Sequence, residues 1–101
     1  MRLNEIVNAI GHPIRRDIIK RLRVDSLSAG ELAESYDVSK PTMSVHFKTL
    51  KASKLIYSER AGNHVIYHLN TTVAEEALLL IANLLGTGSQ KEADNDPKTT
   101  L

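Results

Sequence analysis

Between Ser39 and Lys51 the chain reads SKPTMSVHFKTLK, dense in hydroxyls and lysines, and no acid occurs anywhere from residue 38 to residue 58. On a helical wheel at about 100° per residue, Met43, Phe47 and Leu50 gather on one side. Pro41, Val45, Lys48, Thr49 and Ala52 gather on the other, flanked by Thr42 and Ser44. A face kept only for solvent is usually richer in Glu, Gln and Lys. This one is small, hydroxyl-bearing and basic, so it can enter a groove. Its serines and threonines can bond base edges or phosphates, and Val45 can meet a thymine methyl. Lys40, Lys48 and Lys51 can contact phosphates. The rival reading is a plain surface helix packed on a partner protein. Ser39 suits the helix N-cap, and Pro41 falls in the first turn, where proline is tolerated. The predicted helix spans 40–53. His46 lies on the flank nearer Met43, where a half-buried hydrogen-bonding histidine and a DNA contact both fit.

Several elements must hold that face in place. Leu3, Ile6, Val7 and Ile10 have helical spacing, predicting a short helix over 3–10 that Gly11 ends. Pro13 opens a second helix over 13–23, with Ile14, Ile18, Ile19 and Leu22 inward and Arg15, Arg16, Lys20, Arg21 and Arg23 outward. Arg15 and Arg16 can reach phosphate, or stand in solvent, or pair with acids such as Asp17. Ser28 and Glu31 have capping-box spacing and start a helix over 29–36. Asp37-Val38-Ser39 breaks it, with Val38 and Met43 expected at the crossing of the two helices. Two β-rich runs, 55–60 and 64–69, surround Ala61-Gly62-Asn63 and read as a hairpin. Val65, Tyr67 and Leu69 share one face of the second strand; His64, Ile66 and His68 share the other. Thr72 and Glu75 repeat the capping-box spacing before a helix over 73–86. A polar tail, 87–101, is expected to be disordered.

Two short helices joined by three residues and followed by a hairpin outline a winged helix-turn-helix. The predicted fold is mainly α with a small β-hairpin, in the order helix, helix, helix, helix, strand, strand, helix over residues 1–86. Arg60, Asn63 and His64 sit at the hairpin tip, where a wing can lie on the DNA backbone or minor groove; an ordinary polar turn is the alternative.

Composition narrows the function. The 101 residues include no cysteine, which removes thiolate metal sites and cysteine catalysis from this sequence. The MRLNEIVNAI start mixes charged and polar residues with apolar ones and does not read as a secretory signal. No apolar run approaches the roughly 20 residues of a membrane span, so a cytoplasmic protein is expected. Net charge is only +1, but residues 1–70 hold 11 Lys/Arg against 7 Asp/Glu, while 71–101 hold 2 against 5. The basic front part suits a polyanionic partner. No paired carboxylates, placed nucleophile or phosphate loop suggests an enzyme.

Three segments together, GHPIRRDIIKRL, SAGELAESYDVSKPTMSVHFKTLKASKLI and RAGNHVIYHLN, resemble the ArsR family of bacterial winged-helix repressors over residues 3–86. SKPTMSVHFKTLK followed by HLNTTV is most similar to its metal-independent autorepressor branch. The resemblance implies a homodimer that binds double-stranded operator DNA and represses transcription. It places recognition-helix contacts at Ser39, Lys40, Thr42, Ser44, Val45, His46 and Lys48, beside Pro41, and wing contacts near Arg60 and Asn63. One departure is His12, where the family commonly has Asp before the proline, which puts the cap of the second helix in question.

Metal-sensing relatives use cysteines beside the helix-turn-helix, or carboxylates with histidine along the last helix. Here that helix has Glu75 and Glu76 without a histidine. His64 and His68, four residues apart on a strand, lie about 13 Å from each other, too far to share one zinc at bonds of about 2 Å. No metal or other cofactor is expected, and a metal-responsive sensor is the alternative. Leu3, Ile6, Val7 and Ile10, with Val73, Ala77, Leu80, Ile81 and Leu84, offer more apolar surface than one small core can bury, which predicts a dimer seam. Two-fold symmetry would set two recognition helices about 34–36 Å apart on an inverted repeat. With no dedicated effector pocket legible, relief of repression by a sequestering protein partner or by falling concentration is a further expectation.

Overall fold

The computed structural model describes residues 2–87. Five helices and three strands follow in the order α1 (Leu3–Ala9), α2 (Pro13–Leu22), β1 (Leu27–Ser28), α3 (Ala29–Glu34), α4 (Lys40–Ala52), β2 (Ile56–Ala61), β3 (His64–Leu69) and α5 (Thr71–Leu85). The sheet is antiparallel in the order β1-β3-β2. The expected two-stranded hairpin therefore gains a third strand. Leu27 and Ser28 pair with Tyr67 and Ile66, and a two-residue strand is too short to leave a periodic pattern. Of the tail expected over 87–101, residues 88–101 lie outside the described residues. Thr87 still belongs to the stop of α5: its N–H donates to the Ala82 carbonyl (2.9 Å) beside left-handed Gly86, a Schellman pattern.

Local signals account for most element ends. Ser28 Oγ accepts from the Glu31 N–H at 3.0 Å while Glu31 Oε1 accepts from the Ser28 N–H at 2.8 Å, closing the capping box. Those bonds hold the Glu31 carboxyl below its ordinary pKa. His12 Nδ1 accepts from the Ile14 N–H at 3.1 Å, so the departure from Asp leaves α2 capped. Helix α5 is capped differently from expectation. Asn70 Oδ1, not a Thr72–Glu75 box, accepts from the Val73 N–H at 3.2 Å. The Asn70 N–H is itself fixed on the Leu55 carbonyl at 2.8 Å, which starts the helix directly off the end of β3. In the hairpin Gly62 has φ +62, the glycine-favouring first position of a tight two-residue turn.

The core is aliphatic with a small aromatic centre. Ile6 and Ala9 of α1, Ile18 and Leu22 of α2, Leu32 of α3, and Met43, Phe47 and Leu50 of α4 are buried together with Leu55, Ile56, Tyr67 and Ala77. The Phe47 and Tyr67 rings stack at 4.7 Å between centroids, fixing α4 against β3. Val38 is exposed rather than packed at the helix crossing. Instead the Tyr36 hydroxyl donates to Asp17 Oδ2 at 2.6 Å, tying the end of α3 to α2. Ile6 and Ala77, expected in a dimer seam, lie inside the chain's own core at 1% and 6% exposure. Their helices turn those positions inward. Val7, Leu80 and Leu84 are exposed, and Leu3, Ile10, Val73 and Ile81 are half-buried.

Arg15 is the most connected polar side chain among the described residues. Its Nε donates to the Ala9 carbonyl and its Nη2 to the Asn8 carbonyl, both at 2.9 Å, while Nη1 donates to His46 Nδ1 at 2.9 Å. Arg16 Nη1 reaches the Ile10 carbonyl at 2.8 Å. The last carbonyls of a helix have no partner within the helix, and cations there also meet the negative end of its dipole. The two arginines thus cap α1 from α2. Neither pairs with Asp17; Arg15 is half-buried, while Arg16 is exposed as expected.

Because a guanidinium only donates, His46 Nδ1 accepts and the ring is neutral. Burial, then nearby His12 and Arg15, holds its pKa below the ordinary histidine value. The unfolded chain then takes up the proton first, so stability is complete above about pH 6.5 and falls as pH drops through that value. Two outcomes are expected in urea unfolding. Arg15→Ala should lose about 3 kcal/mol, because charged donors leave partly buried acceptors; a loss below about 0.5 kcal/mol, typical of plain surface positions, would contradict the clamp. His46→Gln should flatten the fall in midpoint between pH 7 and pH 5.5, and an unchanged slope would show that His46 is not its source.

Candidate nucleic-acid interface

Helix α4 divides as its sequence pattern requires, except that Thr49, expected on the outer face, is half-buried. Met43 and Leu50 are at 1% and 0% exposure, with Phe47 beside them. Ser39, Lys40, Pro41, Thr42, Ser44, Val45, Lys48, Lys51 and Ala52 are all exposed, Val45 at 59%. Leaving a branched apolar side chain in water is ordinary when isolated. Here it stands between hydroxyls and ammonium groups on the basic face. Ser39 Oγ accepts from the Thr42 N–H at 3.3 Å and lies 2.9 Å from Thr42 Oγ1. The N-terminus of the helix thus presents two linked hydroxyls, and Pro41 adds a position with no N–H to satisfy.

His46 leaves this face. Its ring is buried at 5%, bonded to Arg15, with the His12 ring centroid 4.4 Å away. Of the two roles open to it, the buried one holds, and the assignment of His46 as a DNA contact is corrected. One helical turn separates Thr42 from His46, but the inner side of that turn packs against α1 and α2. Arg15, which the sequence offered as a phosphate contact, is its partner. The signal available in the sequence was the histidine's place beside Met43, with two arginines in the first turn of α2.

The wing projects beyond the core. Arg60, Asn63 and His64 are exposed, with Arg60 opposite Val65 and Ala61 opposite His64 in the hairpin. At the hairpin's base, His68 Nδ1 lies 2.6 Å from Ser26 Oγ, and its Nε2 lies 2.5 Å from Glu59 Oε1. The latter contact is close but not aligned as a hydrogen bond. Tyr57 stacks on the His68 ring at 5.0 Å. This serine–histidine–glutamate chain joins the loop before β1 to both long strands. Sequence reading passed over it, because its members lie 42 and 9 residues apart and only sheet register brings them together.

A basic, acid-free helix face and a wing on one rigid frame can bind the phosphates and groove of a duplex. Comparison with known proteins agrees. A family profile described as a helix-turn-helix domain matches residues 10–58. The chain is 35% identical over 94 residues to the transcriptional repressor SdpR of Bacillus subtilis (strain 168), covering 93% of this chain and 99% of that protein. It is 28% identical over 89 residues to the arsenical resistance operon repressor of Staphylococcus aureus, covering 88% and 85% of the two chains. In fold it is similar to a crystal structure of an ArsR family transcriptional regulator, at a TM-score of 0.76 and 22% identity, covering 88% of this chain and 98% of that one. Its relatives are regulators, not enzymes. No helix among the described residues is long and apolar enough to cross a membrane. The chain belongs to the ArsR family of winged helix-turn-helix, DNA-binding transcriptional repressors.

Proposed function

We propose that this repressor acts as a homodimer on an inverted-repeat operator, that its own promoter is among its targets, and that it needs no metal ion. The observation that carries the reading is the outer face of α4, where Lys40, Ser44, Val45 and Lys48 are all exposed while Met43, Phe47 and Leu50 anchor the inner face. Arg60 and Asn63 on the wing extend the contact along the duplex. Bound across the promoter, the dimer excludes polymerase. Its place of action is the cytoplasm, where bacterial promoters lie. The absence of cysteine, and an α5 with Glu75 and Glu76 but no histidine, support metal independence.

The dimer rests on apolar surface. Leu78, Leu79, Leu80, Leu84 and Leu85 of α5 are between 40% and 69% exposed, and Val7 of α1 is 52% exposed. Each such side chain gains roughly 1.5–3 kcal/mol on full burial, and so many exposed leucines on one helix suit an interaction site. Leu3, Ile10, Val73 and Ile81 are half-buried and add apolar surface on or beside the same two helices. Own-promoter control follows from the resemblance of SKPTMSVHFKTLK and HLNTTV to the autorepressor branch.

Fluorescence anisotropy on the DNA upstream of the protein's own gene tests the DNA half. Replacing Ser44 and Val45 together by glutamate should weaken binding by about a hundredfold, since two carboxylates then face phosphates and base edges; unchanged affinity would refute the interface. Four cationic contacts per protomer, Lys40, Lys48, Lys51 and Arg60, predict a log–log salt slope of about −7 for the dimer. A slope near zero would favour a protein-binding module. Sedimentation equilibrium tests the other half: Leu80→Glu with Leu84→Glu should give monomers that bind DNA poorly, whereas a persistent dimer would move the seam elsewhere.

A further inference from the structure

Between the DNA face and the sheet lies a cleft that the repressor reading leaves unused. Two adjoining hollows, of about 330 and 380 Å³, share Ser44, Phe47 and Tyr67 in their walls. Each falls in the size range of small-molecule sites. Small residues of α3, Gly30 and Ala33, leave room on one side of the first hollow, and Lys40 stands at its edge. Lys48 and Lys51 stand at the edge of the second. No carboxylate lines either hollow among the described residues.

Tyr67 supplies the second, independent observation. It is 6% exposed and stacked on Phe47, yet its hydroxyl has no hydrogen-bond partner among the described residues. Burial alone raises its pKa, with no hydrogen bond or charge contributing. The oxygen is not among the fully sealed, unpartnered atoms, so it can still be reached from the cleft. A phenol open to the cleft, an aromatic stack and three ammonium groups together suit a particular guest. That guest has a flat apolar body to fill the hollow, and an acceptor charge for the hydroxyl and the lysines. A hydrated phosphate of the DNA backbone has no use for the apolar part.

The geometry points to a binding site for an aromatic carboxylate in the cleft between α3, α4 and β3, whose occupation excludes operator DNA. The inference rests on the proposed DNA face, because the guest takes Lys40, Ser44 and Lys48 from the duplex. A ligand can shift the repressor off DNA only through such differential binding, and here the two sites overlap. Repression would then be relieved by a small organic anion as well as, or in place of, a sequestering protein.

The test uses the full chain and 2-naphthoate. Without DNA, an NMR titration should give saturable shifts at the amides of Gly30, Ala33, Ser44 and Val65. The neutral analogue 2-naphthalenemethanol should bind at least about tenfold more weakly, and Tyr67→Phe should cost roughly tenfold in naphthoate affinity, the size of a lost hydrogen bond to a charged group. The spectrum of Tyr67→Phe away from the cleft should match the parent, showing that the variant folds. In a separate anisotropy assay, naphthoate should displace operator DNA competitively. Absence of saturable shifts at millimolar naphthoate, equal binding of the neutral analogue, or unchanged affinity in Tyr67→Phe would overturn the site. Naphthoate binding that leaves the operator complex untouched would overturn the exclusion. Failure of the protein to bind any operator would instead strike the repressor reading, with the titration still standing on its own.

Discussion

Burial of the inner face of α4 governs everything else in this molecule. Met43, Phe47 and Leu50 are packed into the core, and Phe47 stacks on Tyr67 of the sheet. Three large side chains at helical spacing fix both the rotation of the helix about its axis and its distance from the wing. Each contributes roughly 1.5–3 kcal/mol on burial, so rotating the helix is far costlier than any gain available to its polar side. The exposure of Val45 and the lysines is a consequence of that anchoring. A basic face is useful for DNA only when it is held rigidly, because phosphate contacts set register while base contacts choose sequence.

The supports around α4 are polar and sit at helix ends. Arg15 and Arg16 satisfy the carbonyls that close α1, and Arg15 then passes a third hydrogen bond to His46 on the underside of α4. One residue of α2 thus links the first helix to α4. Ser53 does comparable work at the C-terminal end of α4. Its hydroxyl donates to the Leu50 carbonyl at 2.6 Å and accepts from the Leu55 N–H at 3.2 Å. Lys54, at φ 70, turns the chain into β2. The helix is therefore held by apolar packing along its inner face and by hydrogen bonds at its middle and at its C-terminal end.

Much of this was legible in the sequence because it follows from periodicity and local capping. The apolar spacing of Met43, Phe47 and Leu50, the Ser28–Glu31 box and the glycine of the hairpin each depend on residues within a few positions of one another. What escaped depends on distant partners. Strand β1 exists because Leu27 meets Tyr67 forty residues later. His46 is buried because Arg15, thirty-one residues earlier, reaches it. Ile6 and Ala77 are core rather than seam because a wheel gives a residue's angle on its helix but not what covers it. The cap of α5 moved to Asn70 because that residue is pinned by Leu55, a tertiary contact that no capping-box spacing encodes.

The central claim is that the side of α4 opposite Phe47 lies against base pairs in the operator complex. Site-specific photocrosslinking tests it most directly. A photoreactive residue in place of Val45 should crosslink to operator bases on irradiation, while one in place of exposed Leu79 of α5 should crosslink to no DNA. Crosslinks to DNA from position 79 with none from position 45 would contradict the account.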